Sequence, residues 1–412
     1  MTERSQTDSE SPESANGIII KATPDHRRPE LDGIRGIAIF SVIFWHYLYK
    51  YLPEGEPPMH VLQTWAHALL QTGGLPKSAA TNALGLFRLL ISQGWSGVDL
   101  FFVLSGFLIG GILIDNRASP SYFKTFYIRR AARIAPLYVL LLAVTSLFLL
   151  APPNSAAFSL IQSPHPAWSY LTFTQNIMIP ILGWGPVLLG PTWSLAVEEQ
   201  FYLFLPALVR RVPPKIIPWA CAGLGLSALV CRFVCVVWFP HATGAPRVLT
   251  ICRLDSLMLG VLCAWAIRHE GARTTLSNNY RIIRALAGIS LCILVYMTVW
   301  VTSARYAQME VLGYLLFAVV YTAFLLMAYL RPGSPEAWVS RLAFFKRLGI
   351  LAYGLYLFHS VVLFSLYAFI PGEPEGLSWI TPVAVVVTYA LASLSWRFFE
   401  KPIVAWGHKF RY

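Results

Sequence analysis

Residues 28–47, RPELDGIRGIAIFSVIFWHY, open as a polar loop and close as an apolar helix that carries Arg35 and His46 inward. Apolar runs of similar length recur at 96–114, 134–150, 194–209, 215–238, 250–268, 282–301, 310–330, 348–370 and 379–399, after a first run at 33–50. A hydrocarbon core needs about 20 apolar residues per helix. The 412 residues are 56% hydrophobic and only 13% charged, against about 25% charged in a soluble domain. The sequence therefore predicts an all-α polytopic transmembrane helical bundle of about ten spans. Residues 1–27 read as a disordered cytoplasmic head without a signal peptide, 28–402 as one membrane domain and 403–412 as a cytoplasmic tail.

Loop charge gives the orientation. Lys and Arg number 24 in the head, 115–133, 210–215, 268–284, 331–347 and the C-terminal end, against 5 in the alternate loops. Both termini are accordingly expected in the cytoplasm. The net charge of +12 is spent on this asymmetry, which argues against a nucleic-acid partner. The six cysteines have neither metal-ligand spacing nor a disulfide framework, and no metal site is expected. Residues 151–193 carry no Asp, Glu, Lys or Arg but hold Trp168, Tyr170, Phe173, Trp184 and Trp193. They are read as an outer or re-entrant segment rather than an eleventh span. An interfacial aromatic belt and a wall for stacking sugar rings both fit.

Span directions then give depth. His46, Asp99, Glu198, Arg232 and Arg253, from five spans, are expected in one layer beneath the outer face, with Asp255 just below. Intramembrane charges are costly, so they pair, face water or serve function. Two readings stand: a network that glues the bundle, or a polar cavity in which a carboxylate orients His46 as a general base. Arg35 lies eleven residues before His46, roughly 16 Å along a helix. On the same side, Arg129, Arg130 and Arg133 in FYIRRAARIAP are either a positive-inside anchor or a phosphate site. Gly106 and Gly110 have small-xxx-small spacing, expected to bring span 2, and with it Asp99, close to span 1.

Taken together, these blocks resemble the acyltransferase 3 family of integral membrane O-acyltransferases, over residues 28–402. PELDGIRG with its Arg35-x10-His46 spacing, GVDLFFVLSGFLI, FYIRRAARIAPLY, TWSLAVEEQFYLFLP, RLDSLMLG, LAYGLYLFH and FFEKP occur in the family's order. The resemblance implies a bacterial inner-membrane enzyme that transfers an acyl group, usually acetyl, from cytoplasmic acyl-CoA to a hydroxyl of an extracytoplasmic glycan or lipid-linked sugar. With no hydrolase-like domain after span 10, the chain looks like a stand-alone member. On this reading Arg35, Arg129, Arg130 and Arg133 hold the CoA phosphates. His46, oriented by Asp99 or Glu198, deprotonates the acceptor, and Arg253 stabilises the oxyanion. Arg232, Tyr202, His359 and Trp193 complete the substrate-contacting candidates. A route through acyl-His46 stays open. A glycan or lipid-precursor transporter is the rival, although no internal repeat supports it. A non-catalytic scaffold would leave the charged layer without a purpose.

Overall fold

A computed structural model describes residues 28–48, 91–242, 244–299, 307–370 and 379–412. The outer loop 51–94 lies almost wholly outside the described residues. The principal helices are α1 (Pro29–Leu48), α2 (Gly97–Asp115), α3 (Tyr122–Ser146), α4 (Thr192–Arg211), α5 (Ile217–Trp238) and α6 (Leu254–Ala266). They continue with α7 (Tyr280–Val299), α8 (Tyr314–Leu330), α9 (Ala343–Phe369), α10 (Ile380–Ser395) and α11 (Lys401–Gly407). No strand occurs among the described residues. A helix thus stands at each of the ten expected positions, and α11 extends α10 through a π-turn at Trp396–Glu400.

Local chemistry explains the ends. Pro29 opens α1, where its missing N–H costs nothing, and Glu30 and Asp32 in the first turn complement the helix dipole. Among the described residues, eight helical stretches are long and apolar enough to cross a membrane. A ninth is counted if Thr250–Ala266 and Glu270–Asn278, bent by 108°, form one span. Helix α4 falls outside this set because Glu198, Glu199 and Gln200 interrupt its apolar run. The chain is a multi-pass membrane protein. The 151–193 segment breaks into Ala156–Ser159, Ala167–Leu171, Gln175–Leu182 and a 3-10 turn at Val187–Leu189, with Pro152, Pro153, Pro164, Pro166, Pro186 and Pro191 between or beside the pieces. No membrane-length helix forms there, so the alternation of directions survives.

The basic loops meet at one end of the bundle. Arg117 donates to the Arg210 carbonyl at 3.2 Å, Arg268 grips Asp115 at 2.6 and 2.7 Å, and Arg284 meets Glu336 at 2.9 Å. Arg341 binds Glu30, joining the start of α1 to the segment before α9.

Two seams are backbone-tight. A methyl group on Gly36 would stand 1.8 Å from the Phe345 carbonyl oxygen, and one on Gly349 would stand 1.7 Å from that of Asp32. Helices α1 and α9 therefore touch main chain to main chain. Gly106 does the same for α2, with only 1.9 Å to the Leu257 oxygen of α6. The small-residue stripe of α2 thus docks α6, rather than drawing Asp99 to α1 as its spacing led us to expect.

Candidate active site

His46 leaves α1 on the side of α9. Its Nδ1 lies 2.8 Å from the Val42 carbonyl oxygen, and its ring centroid lies 4.8 Å from that of His359. A carbonyl only accepts, so Nδ1 carries the proton and Nε2 keeps its lone pair. His359 is fully buried and repeats the arrangement, with Nδ1 at 2.6 Å from the Tyr356 carbonyl and Nε2 at 3.2 Å from Ser360 Oγ. Tyr47 clamps the pair from behind: its hydroxyl donates to the His359 carbonyl at 2.9 Å and meets Thr388 Oγ1 at 2.8 Å. The basic atom of His46 is thus set by main chain rather than by an acid.

The expected charged layer separates into distinct places. Asp99 turns to α6, where Arg253 binds it and Ser256 Oγ donates to it at 3.1 Å. Gly94 lies against Ser41 and Trp45, and Gly97 against Ala38 and Val42. At 1.5 Å per residue, Asp99 sits about two turns nearer the basic end than His46. The expected orientation of His46 by Asp99 is therefore corrected: Asp99 lies at a different depth, and its carboxylate turns to Arg253 and Ser256. Arg253, placed in the sequence reading as the oxyanion donor, is 1% exposed and stacks over the Tyr314 ring at 3.9 Å. Arg232 is fully buried, donating to Asp255 at 2.7 Å and to the carbonyls of Cys252 and Val311. These two arginines knit α2, α5, α6 and α8 and do not reach His46. Trp193 packs its ring edge-on to Phe102, 6.3 Å between centroids.

Glu198 belongs elsewhere too. Tyr202 donates to its Oε2 at 3.3 Å and also bonds Ser105 Oγ. Ser105 lies six residues past Asp99, roughly 9 Å further toward the basic end. Glu198 is thereby in the range of Arg35 and Arg130, not of His46, because α4 enters the bundle at a lower level than its sequence start implies.

These last residues line a cavity of about 510 Å³ that opens at the basic end between α1, α2, α3, α4 and α9. Its lining runs along α2 from Ile112 to Val98, roughly 21 Å at 1.5 Å per residue. Arg28, Arg35, Arg129, Arg130, Arg133 and His408 ring the mouth. Arg35 holds Asp32 at 3.0 Å, and Arg133 stacks near Trp396 and Tyr353. Partial burial, and then Arg129, Arg130 and Arg133, push the His408 imidazole below its ordinary value. The deep end is apolar, with Val98, Phe101, Phe102 and Leu195, and closes on Ser194 and Tyr356. Tyr356 OH bonds Ser194 Oγ at 2.6 Å and the Pro191 carbonyl at 2.7 Å. Its ring is 5.7 Å from that of His359, so Tyr356 stands between the cavity and the imidazole pair.

Ser105, Ser194 and His408 escaped the sequence reading. A serine in an apolar helix carries little signal, and His408 lies in a stretch that reads as a loose tail. Among the described residues, no group of three or more His, Cys, Asp or Glu is placed to hold a metal ion.

Arginines at one end, an apolar stretch and an imidazole pair beyond Tyr356 are thus laid out in order through the bundle. Residues 28–397 match the acyltransferase 3 family of acyltransferase domains, and the chain belongs to that family. It is 26% identical to the peptidoglycan O-acetyltransferase OatA of Listeria monocytogenes, over 91% of this chain and 55% of that protein. It is 27% identical to a Bacillus subtilis protein provisionally named peptidoglycan O-acetyltransferase YrhL, over 94% of this chain and 56% of the relative. The chain thus spans little more than half the length of these relatives. No solved structure matches it.

Proposed function

We propose that this protein transfers an acyl group, most simply acetyl, from acyl-CoA on the cytoplasmic side to a hydroxyl of an extracytoplasmic glycan such as peptidoglycan or its lipid-linked precursor. The observation that carries this reading is the polarity of the cavity. Guanidiniums at its mouth suit the CoA phosphates, and the apolar barrel suits the pantetheine arm. The basic end is cytoplasmic by the positive-inside rule. Tyr356 marks the place where the thioester stops, and His46 waits on the far side.

In this scheme His46 Nε2 takes the proton from the acceptor hydroxyl as its oxygen attacks the thioester carbonyl. The tetrahedral intermediate collapses, the C–S bond breaks, and the proton taken up by His46 passes to the CoA sulfur, which leaves toward the mouth as the thiol. Positioned proton transfer of this kind contributes about 10²–10⁴-fold. The names of the relatives, peptidoglycan O-acetyltransferases, support the acetyl group and the glycan acceptor.

The test is CoA release by purified protein in liposomes carrying a lipid-linked muropeptide acceptor and supplied with acetyl-CoA. His46→Ala is expected to cut the acceptor-dependent rate by about 10²–10⁴-fold while acetyl-CoA still binds. Acceptor moving across the bilayer without thioester cleavage would instead make the protein a transporter.

A further inference from the structure

The last residues of the chain are built into the cavity mouth. Val404 and His408, one turn apart on α11 and its end, both line the cavity. Gly407 between them presses on α3 so closely that a methyl group there would stand 2.8 Å from the Ala132 side chain. Beyond it the backbone is tied down at every step. Arg129 donates through Nε and Nη2 to the Phe410 carbonyl at 2.9 and 2.6 Å, and Thr125 and Ser121 donate to that of Arg411 at 2.9 and 3.0 Å. The Arg129 guanidinium also lies 5.0 Å from the Tyr412 ring.

Resting on the donor reading above, we propose that segment 404–412 is a wall of the donor site and that His408 contacts a donor phosphate at the mouth. Arg129 spends two of its N–H groups on the Phe410 carbonyl, so it acts partly as the peg that fixes the wall. Arg130 and Arg133 line the same mouth, and His408 lies within electrostatic range of both. The charged groups facing His408 are Arg129, Arg130 and Arg133 from α3, with Arg28 and Arg35 from the α1 side of the same mouth. Among the described lining residues the acids are Asp32, held by Arg35, and Glu198, deeper in.

Before a ligand binds, partial burial and then the surrounding guanidiniums disfavour the imidazolium, so the neutral form of His408 dominates near pH 7. A phosphate between them reverses that field, and binding takes up a proton. The histidine therefore adds affinity as pH falls and adds none when pH is high.

The experiment measures binding of CoA, and of pantetheine as a phosphate-free probe, to the full-length purified protein between about pH 8 and pH 6. His408→Ala is expected to bind CoA roughly three- to tenfold more weakly than wild type at the acidic end and equally at the alkaline end. His408→Arg, always charged, should bind CoA at least as tightly as wild type at high pH. Pantetheine should not distinguish the three proteins. Superimposable CoA curves for wild type and His408→Ala overturn the role of the histidine and leave the donor reading intact. Equal losses for CoA and pantetheine overturn it as well, by showing a deformed mouth instead of a phosphate contact. Failure of wild type to bind CoA at any pH removes the donor reading and this inference together.

Discussion

Two charged clusters in this membrane bundle look alike in the sequence and differ in kind. Asp99–Arg253 and Asp255–Arg232 are sealed between helices, with side chains 0–2% exposed. Arg35, Arg130 and Arg133 also sit on apolar helices, yet they line an open cavity, and the side chain of Arg35 is 35% exposed. The first cluster is complete apart from a few atoms: Arg253 Nε and Nη1 and Asp99 Oδ2 have no hydrogen-bond partner among the described residues. The second has more positive charge than its own carboxylates match. A buried charge that finds its partner inside the protein holds helices together, while one left facing a cavity waits for a ligand.

The contrast can be broken most forcefully at the sealed cluster. Asp99→Ala leaves the Arg253 charge buried alone and is expected to cost about 3–5 kcal/mol, read as a large fall in the thermal midpoint of the purified protein. Asp99→Leu combined with Arg253→Met removes both charges and should regain most of that loss. A double variant as unstable as the single would mean that the pair carries more than its own charge balance.

At the open cluster the expectation inverts. Arg130→Ala and Arg133→Ala should each weaken CoA binding by roughly 1.5–3 kcal/mol, the worth of a charge-assisted hydrogen bond, with little change in the thermal midpoint. Titration with CoA, set beside a melting curve of the same sample, separates the two effects. Unchanged affinity in both variants would assign the arginines to membrane anchoring.

The smallest effect belongs to the exposed pair Arg284–Glu336 at the basic end. Burial pushes the Glu336 carboxyl up, but a backbone hydrogen bond and Arg284 outweigh it and hold it below its ordinary value. Its contribution is present above the unfolded pKa of about 4.3 and is lost as pH falls through the lower folded value. Glu336→Gln should remove that slope and shift stability by at most about 1 kcal/mol in pH-resolved melting.

Helix positions and their alternating directions were legible because apolar length and loop charge are one-dimensional signals. Arg35, Arg129, Arg130 and Arg133 line one cavity, and depth and charge sign were enough to expect them at one end. Rotation about each helix axis was not legible. Asp99 and His46 differ in which neighbour they face, and that choice is made by Gly106 against Leu257 and Gly36 against Phe345. A glycine in an apolar run announces a close contact without naming the partner. Glu198 was misplaced for a related reason: the proline-broken segment before α4 gave no measure of how deep that helix starts.

Because Gly36 and Gly349 leave no space between α1 and α9, these two helices form a single strut. His46 and His359 ride on it together, so their spacing is insulated from whatever enters the tunnel.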